Sequence, residues 1–443
     1  MNKLKTLALP LAALYLMSAC EQGEEDGPGA YAGRYQPLAS EPTILQGATV
    51  LTGTGERIDN ADVVMQDGKI VAVGSGLDST GMNVVNASDM WVTPGVIDVH
   101  SHLGAYPSPG VDAHSDGNEA TDPNTAQVWA EHSVWPQDPG FVAALAGGVT
   151  SLQILPGSAN LFGGRGITLK NVPGRSVMDM KFPDAPYGLK MACGENPKRV
   201  YGSQGRSPST RMGNVAGYRS AWIDAEEYNR KMSGDPKGQG EKPKRDLKLE
   251  TLAGVLNGEI LVHNHCYRAD EMAVMFEIAK EFGYKITAFH HGVEAYKIAD
   301  LLAENDTCAA IWADWYGFKM EAFDGIRENA AILDREGACT VMHSDSDMGI
   351  QRLNQESAKV MGAAARVGID IPPERAVRWF TANAAKALGV ADVVGTLEPG
   401  KMADVTLWDG NPFSVYTKAQ KVYIDGALAY DRSNDSVNPV TDF

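Results

Sequence analysis

The sequence predicts an α/β protein built on one (β/α)8 TIM barrel, with a small β-sandwich-like domain formed by the N- and C-terminal segments. Apolar strands alternate with amphipathic helices over roughly 300 residues, which is typical of a parallel barrel. Hairpin patterns occur at both ends of the chain. Histidines lie at the ends of several predicted strands, and the carboxyl ends of barrel strands converge on one face.

The overall composition is that of a globular protein. Of 443 residues, 44% are hydrophobic and 21% are charged, so a wholly disordered chain is excluded. The 39 Lys and Arg residues are outnumbered by 56 Asp and Glu residues, which gives a formal net charge of −17. Because nucleic acids and anionic lipid headgroups attract basic surfaces, we expect neither to be the main partner.

The first twenty residues resemble a bacterial lipoprotein signal peptide. Two lysines precede an apolar stretch from Leu7 to Met17, and two small residues precede Cys20. The resemblance implies cleavage before Cys20, lipidation of its thiol, and export to the outer membrane facing the periplasm. An ordinary secretory signal with a coincidental cysteine is the alternative. We predict that residues 21–42 form an acidic, flexible tether.

Short strands flank the barrel on both sides. Residues 43–93 contain two strand pairs, with turns at Gly53 and at the Asp67-Gly68 dipeptide. Residues 395–432 return to the same hairpin pattern. We therefore expect these two segments to form one composite β domain, and residues 94–394 to form the barrel between them.

Seven of the nine histidines lie within predicted strands or at their carboxyl ends: His100, His102, His263, His265, His290, His291 and His343. His100 and His102 are spaced i, i+2, so both side chains point to the same side of a strand. Two neutral imidazoles held in this way form half of a site for a metal such as zinc.

Five motifs resemble those of the amidohydrolase superfamily, the metal-dependent (β/α)8 hydrolases. TPGVIDVHSHLG resembles the first-strand motif, and GTLEPGKMADVTLWDGNP the C-terminal β segment. VHNHCYRADEM, FHHGVEAYKIADLL and VMHSDSD resemble the fifth-, sixth- and eighth-strand regions. The resemblance covers the chain from about Thr43 to Ala429, and it is greatest to the imidazolonepropionase-like and prolidase-like branch. It is specific for the superfamily but not for the substrate.

This resemblance implies a set of metal ligands. His100 and His102 would bind the buried ion, His265 would be the fifth-strand ligand and His291 the sixth-strand ligand. Asp345 would be the eighth-strand ligand and the general base, and His291 would also lie near the reacting carbonyl.

Some of these positions have alternatives nearby. His263 lies on the same strand face as the proposed fifth-strand ligand, and Asp347 is a second carboxylate close to the eighth-strand position. We expect His290 to point to the opposite face from His291. His343 would either orient the substrate or pack.

The fourth-strand ligand is left open between two residues. Lys190 lies within the predicted strand, where carboxylation would let it bridge two ions, and Glu195 follows at the strand end. Lys190 is favoured. The implied cofactor is one or two divalent ions, with zinc preferred, and the site would hold a single ion if neither residue reaches it.

The implied activity is hydrolysis of a C–N bond in a small amide, cyclic amide or dipeptide by metal-activated water. The alternatives are a deaminase, an ester or lactone hydrolase, or an inactive surface-anchored binding protein. Candidates for substrate binding are Tyr267, Arg268 and Arg165. The guanidinium of either arginine could bind a substrate carboxylate in bidentate fashion. The alternative is that these arginines pair with nearby acidic residues. By the habits of similar proteins we expect a homo-oligomer.

Four cysteines follow the signal segment: Cys193, Cys266, Cys308 and Cys339. Export permits disulfides, and Cys193 and Cys266 are predicted near adjacent strand ends, where they would form a bridge or leave a thiol beside the metals. The favoured interpretation is that they are small buried apolar side chains.

Overall fold

A computed structural model describes residues 30–234 and 241–441. The residues from Gly33 onward belong to one unit, which contains every contact discussed below. Of the preceding unit, only residues 30–32 are described. The signal-peptide and Cys20 predictions lie outside the described residues.

An eight-stranded sheet forms the nearly closed barrel, in the order β13-β12-β11-β10-β9-β8-β7-β6. Its strands are β6 (Val96–Ser101), β7 (Val149–Ile154), β8 (Phe162–Lys170), β9 (Gly188–Ala192), β10 (Leu261–Cys266), β11 (Ala288–His291), β12 (Cys308–Ile311) and β13 (Cys339–Met342). Where the first and last strands meet, the Asp345 N–H donates to the His100 carbonyl at 2.9 Å. The prediction of a TIM-barrel-like α/β fold is confirmed.

The third barrel strand departs from the regular alternation. β8 runs antiparallel to both β7 and β9, whereas all other neighbours in the barrel are parallel. The short connection between β7 and β8 contains no helix, so the chain turns back as in a hairpin. Arg165 therefore lies within a strand, β8, that follows barrel strand β7.

A second eight-stranded sheet combines strands from both ends of the chain. It contains β1 (Thr43–Leu51), β2 (Arg57–Gln66), β3 (Lys69–Gly74), β4 (Asn83–Asn86), β5 (Trp91–Pro94), β14 (Val405–Trp408), β15 (Ala419–Ile424) and β16 (Ala427–Asp431). The predicted hairpin is confirmed as β2–β3, with Asp67 and Gly68 at positive φ as its tight turn requires. β5 pairs with β14, which joins the two termini in one sheet.

Ten α-helices are described: α1 (Pro139–Ala146), α2 (Glu195–Gly202), α3 (Arg211–Ser233), α4 (Leu247–Leu256), α5 (Ala269–Phe282), α6 (Ala299–Glu304), α7 (Asn329–Arg335), α8 (Leu353–Arg366), α9 (Pro373–Ala376) and α10 (Ala382–Ala387). Apolar residues between these helices and the outer barrel face form the largest core cluster, around Trp222 and Trp379. Within the described residues, no helix is both long and apolar enough to cross a bilayer.

The predicted tether is partly docked. Tyr35 is buried in an apolar cluster, and its hydroxyl donates a hydrogen bond to Asp425. The Arg34 N–H donates to the Met178 carbonyl at 2.7 Å. Burial of the aromatic ring is favourable, so the predicted tether of residues 21–42 contacts the folded unit at Arg34 and Tyr35.

Two disulfides join neighbouring barrel strands. Cys193–Cys266 links the carboxyl ends of β9 and β10, and Cys308–Cys339 links the first residues of β12 and β13. The favoured prediction of unbridged apolar cysteines was therefore wrong. Neighbouring parallel strands bring side chains in register close enough for a bridge, and Cys308 and Cys339 are direct partners.

Candidate metal centre

Five predicted ligands converge at the carboxyl ends of the barrel strands. Asp345 Oδ1 lies 3.1 Å from His102 Nε2 and 3.5 Å from His100 Nε2, and Asp345 Oδ2 lies 3.8 Å from His291 Nδ1. The His265 ring centroid is 4.5 Å from that of His291. Strand ends separated by as many as 245 residues of sequence thus place imidazoles and a carboxylate around one point.

Two of these residues have left-handed backbone conformations. His291 has a φ of 75° and Asp345 a φ of 50°, a region that non-glycine residues seldom occupy. At His291 this conformation ends the strand alternation and turns the ring toward the site. Backbone strain of this kind, at about 1–3 kcal/mol each, persists where surrounding structure imposes it and is concentrated at functional sites.

The two fourth-strand candidates lie in different surroundings. Lys190 is buried, and its Nζ lies 3.2 Å from His100 Nε2. Glu195 begins α2 and pairs with Lys319 at 3.5 Å. The structure brings Lys190 into the histidine cluster, whereas Glu195 is engaged by a neighbouring cation.

His290 is not the outward-facing neighbour that the sequence suggested. Its Nδ1 lies 2.8 Å from His100 Nδ1, and its Nε2 lies 2.9 Å from His263 Nδ1. Strand alternation places Phe289 in the outer apolar core and His290 inside the barrel. The prediction failed because the following residue, His291, leaves the strand conformation, so that both histidines face inward.

The alternative ligands lie in other positions. His263 lies deeper in the barrel, where its Nε2 is 3.2 Å from Gln153 Nε2. Asp347 is exposed and accepts a hydrogen bond from the Met348 N–H at 2.9 Å. His343 is buried, with Nε2 3.0 Å from His291 Nδ1.

Burial keeps the histidine rings neutral. It lowers the pKa of His100, His265 and His291 well below the ordinary value, and that of His263 to about 3. Burial also lowers the pKa of Lys190 to about 8, which makes the neutral amine more accessible than in an exposed lysine. Neutral imidazole is the form that ligates metals.

Asp345 remains ionised in this setting. Burial by itself raises its pKa, but the hydrogen bond and charge of His102, together with Lys190 and His343, hold the pKa below its ordinary value. The carboxylate can therefore both ligate a cation and accept a proton.

Asp98 and Ser344, which the sequence analysis did not single out, join β6 to the segment after β13. Asp98 is buried and accepts hydrogen bonds from the Ser344 hydroxyl, from the Ser344 N–H at 3.1 Å and from the His100 N–H at 3.2 Å. Burial raises the pKa of Asp98 to about 7. Its position two residues before His100, on the same strand face, is the signal that could have identified it.

Of the three predicted substrate-binding residues, Tyr267 lies beside the cluster. Its ring stacks on His291 with centroids 5.3 Å apart. Arg268 pairs with Asp270 at 2.8 Å, as the alternative anticipated. Arg165 donates to the Thr251 hydroxyl at 2.8 Å and covers the Trp129 ring.

Trp312 is a second aromatic residue beside the site, which sequence reasoning missed. The Trp312 ring stacks on His291 with centroids 4.3 Å apart, and its indole N–H donates to the Ser344 carbonyl at 3.0 Å. Its place directly after β12, at a carboxyl strand end, is the signal that was available.

The donor set fits a divalent metal ion. His100, His291 and Asp345 offer ligand atoms that all lie within 4.8 Å of one another. His265 Nδ1 is buried without a hydrogen-bond partner, which is costly for a polar atom unless it has another role. Imidazole and carboxylate donors are those that zinc prefers in open catalytic sites.

A crystal structure of an amidohydrolase from Thermotoga maritima MSB8 superimposes with a TM-score of 0.81. The two sequences are 36% identical, and the similarity covers 88% of this chain and all of the other. The chain belongs to the amidohydrolase family. The family model itself matches residues 257–440 of this amidohydrolase.

Two curated relatives give further context. The amidohydrolase tasK of Hapsidospora irregularis is 31% identical over 91% of this chain, but the chain spans only 45% of that protein's length. An imidazolonepropionase from Mesorhizobium japonicum is 23% identical, with coverage of 80% of this chain and 87% of the relative. The predicted superfamily is thereby confirmed, and relatives of the imidazolonepropionase type are among the matches.

Proposed function

We propose that this amidohydrolase is a metal-dependent hydrolase that cleaves a C–N bond in a small amide, cyclic amide or dipeptide. The observation that carries the proposal is the convergence of His100, His102, His265, His291 and Asp345 with the buried Lys190 at one strand-end site. A divalent ion held by these residues, zinc being the best match to the donor set, would act as a Lewis acid toward a carbonyl and toward water. Carboxylated Lys190 would let the site hold two ions.

The protein's own groups supply the proton transfers. Asp345 is ionised and about 24% exposed at its side chain, so it can accept a proton from water entering the site. The same carboxyl group, once protonated, can donate to the leaving nitrogen. A neutral His291 ring donating its N–H toward the carbonyl oxygen would stabilise the charge that develops there.

A cavity lies next to the proposed site. Its volume is about 390 Å³, and its lining includes Leu155, Pro156 and Trp129. The Leu155 carbonyl faces His102 Nδ1 at 2.8 Å, which relates this cavity to the ligand set. The volume is in the range of small-ligand sites, so it supports an amide or dipeptide substrate over a polymer.

We further propose that the protein is exported and anchored through Cys20 as a lipoprotein on the periplasmic face of the outer membrane. The two disulfides support an oxidising compartment, because cytosolic thiols are kept reduced. Loss of membrane association in a Cys20→Ser variant, measured by fractionation, would support the anchor; unchanged membrane association would contradict it.

The hydrolase proposal is tested by metal analysis combined with an amide and dipeptide library. We expect one or two zinc ions per chain and turnover of at least one C–N substrate. Asp345→Asn should keep more than half of the metal and lose hydrolysis by roughly 10²-fold or more, since general acid–base catalysis contributes about that much. Full turnover in Asp345→Asn, or a wild-type protein without metal, would contradict the proposal.

A further inference from the structure

A chain of buried polar side chains runs inward from the site. His100 Nδ1 lies 2.8 Å from His290 Nδ1, His290 Nε2 lies 2.9 Å from His263 Nδ1, and His263 Nε2 lies 3.2 Å from Gln153 Nε2. All four residues are at most 1% exposed. None of them except His100 belongs to the proposed ligand set.

Each neutral ring in this chain has one N–H donor and one acceptor nitrogen. Because both nitrogens of His290 and of His263 are engaged, the proton position on one ring fixes the position on the next. The chain therefore has only two consistent directions. In one, every ring donates toward Gln153; in the other, every ring donates toward His100.

Metal ligation selects one direction. His100 Nδ1 is occupied by His290, so Nε2, which faces Lys190 and Asp345, is the nitrogen left for a metal ion. Ligation through Nε2 requires the proton on Nδ1, which then donates to His290. His290 in turn donates from Nε2, His263 donates from Nε2, and the chain must end on an acceptor.

Gln153 can provide that acceptor. Its carbonyl oxygen Oε1 is buried without a hydrogen-bond partner. The two ends of an amide have the same shape, and a half turn of the group exchanges oxygen and nitrogen. Such a turn presents Oε1 to the N–H of His263.

The neighbouring strand leaves room for this contact only because it carries a glycine. A Cβ on Gly188 would lie 2.6 Å from His263 Cδ2 and 2.9 Å from Gln153 Nε2. Side chains do not approach so closely, so any larger residue at 188 would separate the two groups.

We propose that Gln153 is a positioning residue that, through His263 and His290, fixes the proton of His100 on Nδ1 and so prepares Nε2 to bind metal. The inference deepens the proposed function, because it depends on His100 being a ligand. It identifies a chain of three residues behind the site that controls the ligand without touching the ion.

The test compares zinc affinities, measured by competition with a chelator. Gln153→Met keeps the side-chain length but removes the acceptor, and it should lower affinity by 10- to 100-fold, the usual effect of losing an outer hydrogen bond to a ligating histidine. Gln153→Glu retains an acceptor and should stay within about threefold of wild type. Gly188→Ala should lower zinc affinity to the same extent as Gln153→Met. Gln420→Met, at a glutamine in β15 of the composite sheet, is the control and should bind zinc normally.

A second readout is independent of variant folding. In the zinc-loaded wild-type protein, nitrogen-15 shifts of the rings should report N–H at Nδ1 of His100 and at Nε2 of His290 and His263. Unchanged affinity in Gln153→Met, or protons on the opposite nitrogens, would overturn the inference while leaving the hydrolase proposal intact. A wild-type chain that binds no zinc would instead overturn the hydrolase proposal on which the inference rests.

Discussion

Lys170 and Lys190, two fully buried lysines of the barrel, lie in very different surroundings. Lys170 Nζ contacts Asp404 at 2.9 Å and Asp425 at 3.1 Å, so its charge is matched by two carboxylates from the composite sheet. Lys190 Nζ lies 3.2 Å from a histidine nitrogen, and burial lowers its pKa to about 8. A buried cation with full partners holds structure together, whereas a buried amine without a carboxylate partner in contact is available for chemistry.

The same contrast extends to the surrounding atoms. Around Lys170, Asp404 also accepts from the Asp425 N–H at 3.0 Å, and Asp425 accepts from Tyr35. Around Lys190, His265 Nδ1 has no hydrogen-bond partner. A buried polar atom without a partner thus lies at the candidate metal centre, while matched charges join the barrel to the sheet.

The largest expected effect is on catalysis. Lys190→Met should lower turnover by at least roughly 10²-fold, because it removes the proposed bridging ligand and with it several kcal/mol of transition-state stabilisation. The thermal midpoint should stay within a few degrees of wild type or rise, since Lys190 contacts a histidine nitrogen rather than a carboxylate. Normal turnover in Lys190→Met would show that Lys190, like Lys170, only stabilises the fold.

Lys170→Met should have the opposite effects, a loss of stability with turnover preserved. Removing the cation leaves two buried carboxylates without their main partner, which costs about 3–5 kcal/mol in the free energy of unfolding. Denaturant titration at neutral pH measures this loss, and turnover per folded molecule should be preserved. Lys285→Met is the matched control, because its 2.8 Å pair with Asp306 is exposed and should contribute less than about 1 kcal/mol. Equal losses of unfolding free energy in Lys170→Met and Lys285→Met would show that the buried pairs of Lys170 contribute no more than an exposed pair.

The two disulfides allow the same comparison between the ends of the barrel. Cys308→Ser with Cys339→Ser should lower stability by about 2–4 kcal/mol and leave zinc affinity unchanged, because this bridge lies at the amino ends of its strands. The double variant Cys193→Ser with Cys266→Ser should lower both stability and zinc affinity, since Cys266 directly follows His265. Zinc competition on the two double variants measures the difference, and identical affinities would argue against any role of the second bridge at the site.

The smallest expected effect concerns a third buried cluster, in which the charges are only partly matched. Burial, together with the charge of Glu321, raises the pKa of Glu271 above its ordinary 4.5, although Arg211 pairs with it at 2.9 Å. The folded state then binds more protons than the unfolded state, so this group favours folding more as the pH falls from neutral toward 4.5.

Glu271→Gln resembles the protonated form and removes that dependence. Relative to wild type, the variant should be more stable by roughly 1–2 kcal/mol at pH 8, and the advantage should shrink as the pH falls and disappear below about pH 4, where the carboxyl group is protonated in both states. Unfolding curves of both proteins across this range provide the measurement. A difference that does not vary with pH would show that Arg211 fully compensates the burial of Glu271.

Local patterns gave correct predictions where the physical cause is local. The i, i+2 spacing of His100 and His102 placed both rings on one strand face, and the Asp67-Gly68 turn defined a hairpin. The prediction failed at His290 because alternation holds only while the backbone stays extended, and the positive φ of His291 ends it. It also failed at the cysteines, since strand register decides which thiols meet.

The barrel class, the family and the residue types at the strand ends could be predicted, because periodicity and short motifs are local properties of the chain. Three features emerged only from the folded protein: β8 runs antiparallel, Lys170 is matched by carboxylates while Lys190 is not, and Gln153 lies at the end of a histidine chain. These contacts join residues far apart in sequence, and their geometry depends on packing and strand register, which no local pattern encodes.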